Sequence, residues 1–122
     1  MTPDLAHHLV RLLPGVYLRE PFEVLFEDPA TGLGRVVWSG GRWVIRLSPR
    51  LRGRDLVFAC LHEVGHALLH LEPREGQGHQ GRPPDPAEQA YIRALRRQWE
   101  EEATRWADRE LPRWLAGLEN LL

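Results

Sequence analysis

Phe58-Ala59-Cys60-Leu61-His62-Glu63-Val64-Gly65-His66-Ala67-Leu68-Leu69-His70 carries two patterns at once. The first is apolar: from Asp55, read as an N-cap, Leu56, Cys60, Val64, Ala67, Leu68 and Leu71 recur at helical spacing and define a buried stripe. The second is H-E-x-x-H at His62, Glu63 and His66. Residues four apart on an α-helix lie about one turn from each other on the same face, so both imidazoles can reach one metal ion with Glu63 beside it. With 6 His and 12 Glu in 122 residues, random placement yields the pattern about 0.03 times per chain. The bland alternative is a pair of surface histidines on an amphipathic helix. Against it, His62, Glu63 and His66 share the side away from the stripe with Phe58, Gly65 and Leu69, and a solvated face does not normally carry Phe58 and Leu69. This face is expected to border a cleft, and Gly65, which weakens a helix, to mark close approach by another element.

The whole chain narrows the setting. Its 122 residues suit a single domain over 1–122, and 43% hydrophobic with 27% charged residues is the composition of an ordinary globular protein. A formal net charge of -1 offers no general attraction to nucleic acid or an anionic membrane. All 16 basic residues are Arg; the run Arg46, Arg50, Arg52, Arg54 reads first as a solvated loop and only secondarily as a phosphate-contacting patch. Cys60 is the lone cysteine and cannot close an internal disulfide, which fits a reducing compartment. No apolar run has the length of a membrane span, and Met1-Thr2-Pro3-Asp4 does not open a signal peptide, so the expected location is cytoplasmic.

Along the chain, Thr2 as N-cap, Pro3 and the leucines at 5, 9, 12 and 13 predict an N-terminal helix ended by Pro14-Gly15, with His7 and His8 on its surface. Val16 to Phe26 reads as strand or extended chain interrupted at Pro21, and Asp28 to Gly32 as a turn. Arg35 to Trp38 and Arg42 to Leu47 form an expected hairpin across Ser39-Gly40-Gly41, giving a small sheet before the motif helix. Glu72 to Pro84 is polar, rich in Gly and Pro, and is expected to be a mobile loop. Asp85, Pro86 and Glu88 then start a second long helix with Tyr91, Leu95, Trp99 and Trp106 as its apolar stripe. Pro112 is expected to end or kink it, and Trp114, Leu115, Leu118 and Leu121 to form a last amphipathic helix. The expected fold class is α+β: a small twisted sheet packed on the motif helix and the second long helix, with N- and C-terminal helices.

A zinc site that keeps a position for water takes three protein ligands, so the histidine pair needs a third. His70 continues the row, but eight residues of helix span about 12 Å, far beyond the roughly 4 Å between two nitrogens on one zinc. His70 is therefore placed behind a ligand or in a structural role; His79, in the loop, has no spacing in its favour. The second helix offers Glu100, Glu101 and Glu102, which point about 100° apart. Glu101 faces solvent. Glu102 falls within the stripe, where a buried acid needs a charged partner, while Glu100 shares a flank with Ala103 and Ala107 that lets the motif helix come close. Both remain open on these grounds.

The motif followed by Glu100-x-Glu102-Ala103-x-x-Trp106-Ala107 resembles the ImmA/IrrE family of metallo-endopeptidases, whose signature runs H-E-[IVL]-G-H-A-L-L-H and then E-x-E-A-N-x-F-A. The resemblance covers roughly residues 35 to 112. Thr104 stands where that pattern has Asn, Trp106 where it has Phe, and Leu111-Pro112 falls one residue early. It implies a minimal zincin-like fold and Zn²⁺ held by His62, His66 and Glu100, with Glu102 as the alternative third ligand. It also implies peptide-bond hydrolysis with Glu63 as the general base. Thr104 would then stand behind the ligands, and His70, Tyr91 and His79 are candidates beside a developing oxyanion. The implied partner is a protein or peptide, such as a separate helix-turn-helix repressor. Arg42 to Leu47 is the strand expected to take an extended peptide as an added strand. Two other classes stay in view: a zincin-fold binding or regulatory protein with little turnover, suggested by Thr104, and a nucleic-acid accessory protein using the Arg46 to Arg54 segment.

Overall fold

The computed structural model describes residues 3–29, 32–75 and 85–120. Helices α1 (Pro3–Leu12) and α2 (Pro14–Tyr17) are followed by strands β1 (Phe22–Phe26), β2 (Gly34–Ser39) and β3 (Arg42–Leu47), and then by α3 (Gly53–Leu69) and α4 (Pro86–Asn120). The class is α+β. The chain does not end its helical course at Pro14-Gly15. Pro14 opens α2, since a proline at the first helical position gives up an N–H that has no partner there anyway. Val16 and Tyr17 are consequently helical, and the extended segment is confined to β1.

The sheet order is β1-β3-β2, with β1 parallel and β2 antiparallel to β3. Gly40 and Gly41 make the hairpin turn with φ of 63° and 77°, the paired positive values that a two-residue hairpin loop needs. Because β3 is central, both its edges are already paired, and Arg42–Leu47 cannot take an added peptide strand as expected. Among the described residues, the edge beside the motif helix that pairs with no strand belongs to β2. Trp43, Ile45 and Leu47 alternate toward the core and are at most 1% exposed, meeting Val10 and Leu13 of the N-terminal helical region and Leu56, Val57, Leu61 and Val64 of α3. Each such side chain taken from water contributes roughly 1.5–3 kcal/mol before entropy is counted.

Helix α3 starts two residues earlier than Asp55, with Arg52 at its N-cap in extended conformation and no side-chain cap. Asp55 lies in its first turn, where a carboxylate suits the helix dipole. Leu56, Cys60, Val64 and Ala67 are buried as the periodicity predicts, whereas Leu68 is exposed. Asp85 caps α4, its Oδ1 accepting the Glu88 amide N–H at 2.8 Å. The apolar stripe expected on α4 is buried only in part: Tyr91 is 68% exposed, Leu95, Trp99 and Trp106 are half-buried with Trp106 packed against the core, and the fully buried residues are Ala103, Ala107 and Leu111. Nor is there a separate C-terminal helix, because α4 runs through Pro112. Its far half is fastened to α2, with Trp114 Nε1–H donating to Tyr17 Oη (2.8 Å) and the Tyr17 hydroxyl donating to Glu110 Oε1 (2.8 Å). These anchors and buried Leu111 offset the one helical bond that proline forgoes.

Gly65 is where α3 and α4 come closest. A Cβ there would lie 3.1 Å from Trp106 Cε3 and 3.6 Å from the Ala103 backbone. Trp106 cannot easily retreat, since its ring meets Tyr17 edge-on at 4.9 Å. Gly65→Ala gains about 1 kcal/mol of helix propensity but overpacks the contact by about 1–3 kcal/mol. We expect net destabilisation in chemical denaturation, larger for Gly65→Val; a Gly65→Ala protein more stable than the parent would contradict this packing.

Candidate metal centre

One turn of α3 carries His62 and His66, both half-buried, with ring centroids 4.7 Å apart and planes at 89°. Glu100 reaches them from α4. Its Oε1 lies 2.8 Å from His66 Nε2 and its Oε2 3.1 Å from His62 Nε2, so one carboxylate spans both imidazoles. One donor atom from each of the three falls within 4.8 Å of the others, and the group could hold a metal ion. The small flank decides which acid is here: Ala103 and Ala107 let α3 settle against α4, which turns Glu100 toward the histidines. Glu102 points elsewhere, with Oε1 3.6 Å from His70 Nε2.

Glu63 is 6% exposed, with Oε2 3.1 Å from His62 Nδ1. Strand β2 presses on it: a Cβ at Gly34 would stand 3.0 Å from Glu63 Cγ and 3.1 Å from Oε2, so a side chain there would displace the carboxyl. His70 stacks on Trp99 with centroids 4.9 Å apart and planes 8° from parallel, and its Nδ1 lies 3.0 Å from His66 Nδ1. Its Nε2 is buried and has no hydrogen-bond partner. Burial and the neighbouring His66 push the His70 imidazole below its ordinary value, against weaker pulls from Glu102 and Glu100.

The centre opens into a cleft of about 840 Å³ between α3, α4 and the edge of β2. Leu33, Val36, Leu51, Phe58, Leu71 and Trp99 give it apolar walls, and Thr104 lines it beside Glu100. Tyr91 is exposed and is not among the lining residues; His79 lies outside the described residues, as do 76–84 of the expected loop. His7 packs against Phe26, ring centroids 4.7 Å apart, and neither residue lines the cleft. Gly34 and Arg35 of β2 and the Trp99 stack are parts of the site that the motifs did not point to. Gly34 stands at a strand start with nothing in its spacing to mark it, and Trp99 was absorbed into an apolar stripe. In the arginine segment, Arg46 pairs with Glu27 at 2.8 Å, and Arg52 Nη1 donates to the carbonyls of Pro49 and Leu51. No helix among the described residues is long and apolar enough to cross a membrane. The chain matches no protein-family model, no curated protein and no solved structure.

Burial alone would push the His62 imidazole down, but the Glu63 and Glu100 carboxylates outweigh it and hold the group above its ordinary 6.5. A raised folded-state value means that His62 contributes stability fully below about pH 6.5, and that this is lost as pH rises through the folded-state value. In the metal-free protein, an NMR titration should place the His62 midpoint above 6.5. Glu100→Gln should lower that midpoint; an unchanged midpoint would show that Glu100 does not act on the ring.

Proposed function

We propose that this chain is a zinc-dependent endopeptidase of the ImmA/IrrE type, acting on an extended segment of a protein substrate. The observation that supports it most is the convergence of His62, His66 and Glu100, from helices joined through a long connection, on one point in a cleft. Two imidazole nitrogens and one carboxylate are a donor set suited to Zn²⁺ with a position left for solvent. A zinc ion held there would supply Lewis acidity, drawing the pKa of a water molecule toward neutrality and polarising a peptide carbonyl.

The chain's own groups do the rest. Glu63, shielded from bulk water and facing the same cleft, takes a proton from the attacking water and returns it to the leaving amine. An extended peptide pairs with the free edge of β2 along Gly34 to Val36, which sets its backbone across the donors. The apolar walls favour large apolar side chains next to the scissile bond. A helix-turn-helix repressor is the first substrate class to test. A second reading, a zincin-fold binding protein with little turnover, rests on Thr104, which lines the cleft where the resembled pattern has Asn.

Glu63→Gln should retain zinc and lose at least about 100-fold in cleavage rate; persistent proteolysis would refute the mechanism, and bound zinc without cleavage by the parent protein would favour the binding reading. Glu100→Gln should weaken zinc far more than Glu102→Gln in a chelator competition, with the reverse order overturning the ligand assignment. Because zinc must displace the proton that His62 retains, zinc affinity should rise as pH increases through the His62 midpoint.

A further inference from the structure

Each histidine of the H-E-x-x-H pair has a second ring nitrogen, and the two meet different partners. Nδ1 of His62 faces Glu63, while Nδ1 of His66 faces Nδ1 of His70 at 3.0 Å. A nitrogen-to-nitrogen contact of this length needs one proton between the two, carried by one ring. If His66 carries it, its Nε2 keeps a lone pair toward the donor cluster and His70 must hold its own proton on Nε2. If His70 carries it, a neutral His66 has its proton on Nε2 and cannot bind metal there.

The surroundings of His70 separate these cases. Its side chain is 4% exposed and its ring is clamped flat on Trp99. Its Nε2 is buried without a hydrogen-bond partner, and the acid next to it is Glu102, whose Oε1 stands 3.6 Å away on a side chain about one-third exposed. An unsatisfied buried N–H costs about 1–3 kcal/mol, and a closing movement of a few tenths of an ångström by Glu102 removes that cost. A carboxylate accepts and does not donate, so once an ion takes the place of the His66 Nε2 proton that Glu100 Oε1 accepts at 2.8 Å, Glu102 favours the proton on His70 Nε2 over the alternative tautomer.

We infer that Glu102, His70 and His66 form a proton-ordering chain in which Glu102 sets the tautomer of His70 and His70 sets that of His66, leaving His66 Nε2 free to ligate. The inference rests on the metal-centre reading above and gives the second acid of Glu100-x-Glu102 a task distinct from the first: Glu100 faces the ion's position, and Glu102 positions a ligand through an intervening ring. His70 and Glu102 are positioning residues, and partners of this kind commonly alter metal affinity by about 10- to 100-fold when removed.

The test is Zn²⁺ affinity of the full chain by chelator competition, alongside thermal unfolding of the metal-free protein. His70→Phe keeps an aromatic ring over Trp99 but has no acceptor, and should weaken zinc by about 10- to 100-fold without loss of metal-free stability. His70→Asn places an amide oxygen close to the position of Nδ1 and should recover most of the affinity. Glu102→Ala should weaken zinc, and Glu102→Gln, which retains an acceptor oxygen, should weaken it less. Nitrogen-15 NMR of the zinc-loaded protein should show His66 protonated at Nδ1 and His70 at Nε2. Tight zinc binding by His70→Phe, or a His70 proton on Nδ1, overturns the chain while leaving the three-ligand centre standing. A parent protein that binds no zinc overturns both.

Discussion

The close approach of α3 to α4 is the constraint on which the candidate site depends. Gly65 offers no side chain, Ala103 and Ala107 offer only methyl groups, and the two backbones therefore meet with the Trp106 ring as the side wall. Only at this separation can a Glu side chain from α4 span two imidazoles on α3. A bulkier residue at any of these positions would widen the gap, and the short reach of Glu100 would fail first. Burial elsewhere makes the approach hold, since α3 is also packed against α1, β2 and β3 and cannot roll away from α4.

Charge arranged around that contact gives the site its chemical character. Glu63 is an acid kept almost wholly from water, and Glu100 is an acid left largely exposed at the cleft mouth. His62 sits between them and is held toward its charged form against the effect of burial. The rings of His62, His66 and His70 follow one another along the cleft wall, and the last stacks on Trp99. An open carboxylate at one end and a dry, clamped imidazole at the other make the row asymmetric, so histidines one helical turn apart have different roles.

Much of the fold was legible locally. The Asp85 cap, the Gly40-Gly41 hairpin and the helix bearing His62 and His66 follow from backbone preferences that act over a few residues. Errors arose where tertiary contacts override such preferences. Pro112 should stop a helix, yet the Trp114, Tyr17 and Glu110 bonds carry α4 past it. Of the large residues Tyr91, Leu95, Trp99 and Trp106 that looked like the buried face of α4, Tyr91 is exposed and the others are half-buried, while Ala103 and Ala107 are fully buried where another helix lies at close range. Arg42–Leu47 looked like a strand free to take a peptide, but sheet order puts it in the centre, with β1 and β2 at the edges, and the edge that borders the cleft is that of β2.

By itself the sequence determined that two histidines and a glutamate would share one helix face, because a 3.6-residue repeat places them there whatever surrounds it. It also narrowed the three acids of α4 to Glu100 or Glu102, since Glu101 points away from both the apolar stripe and the small flank. Only the tertiary structure shows that Glu100 is the one that lies at His62 and His66. Helical phase fixes directions relative to a helix axis, but the direction in which a partner lies is set by packing. Here packing put α3 on the Ala103 and Ala107 side, turning Glu100 toward the histidines and Glu102 toward His70.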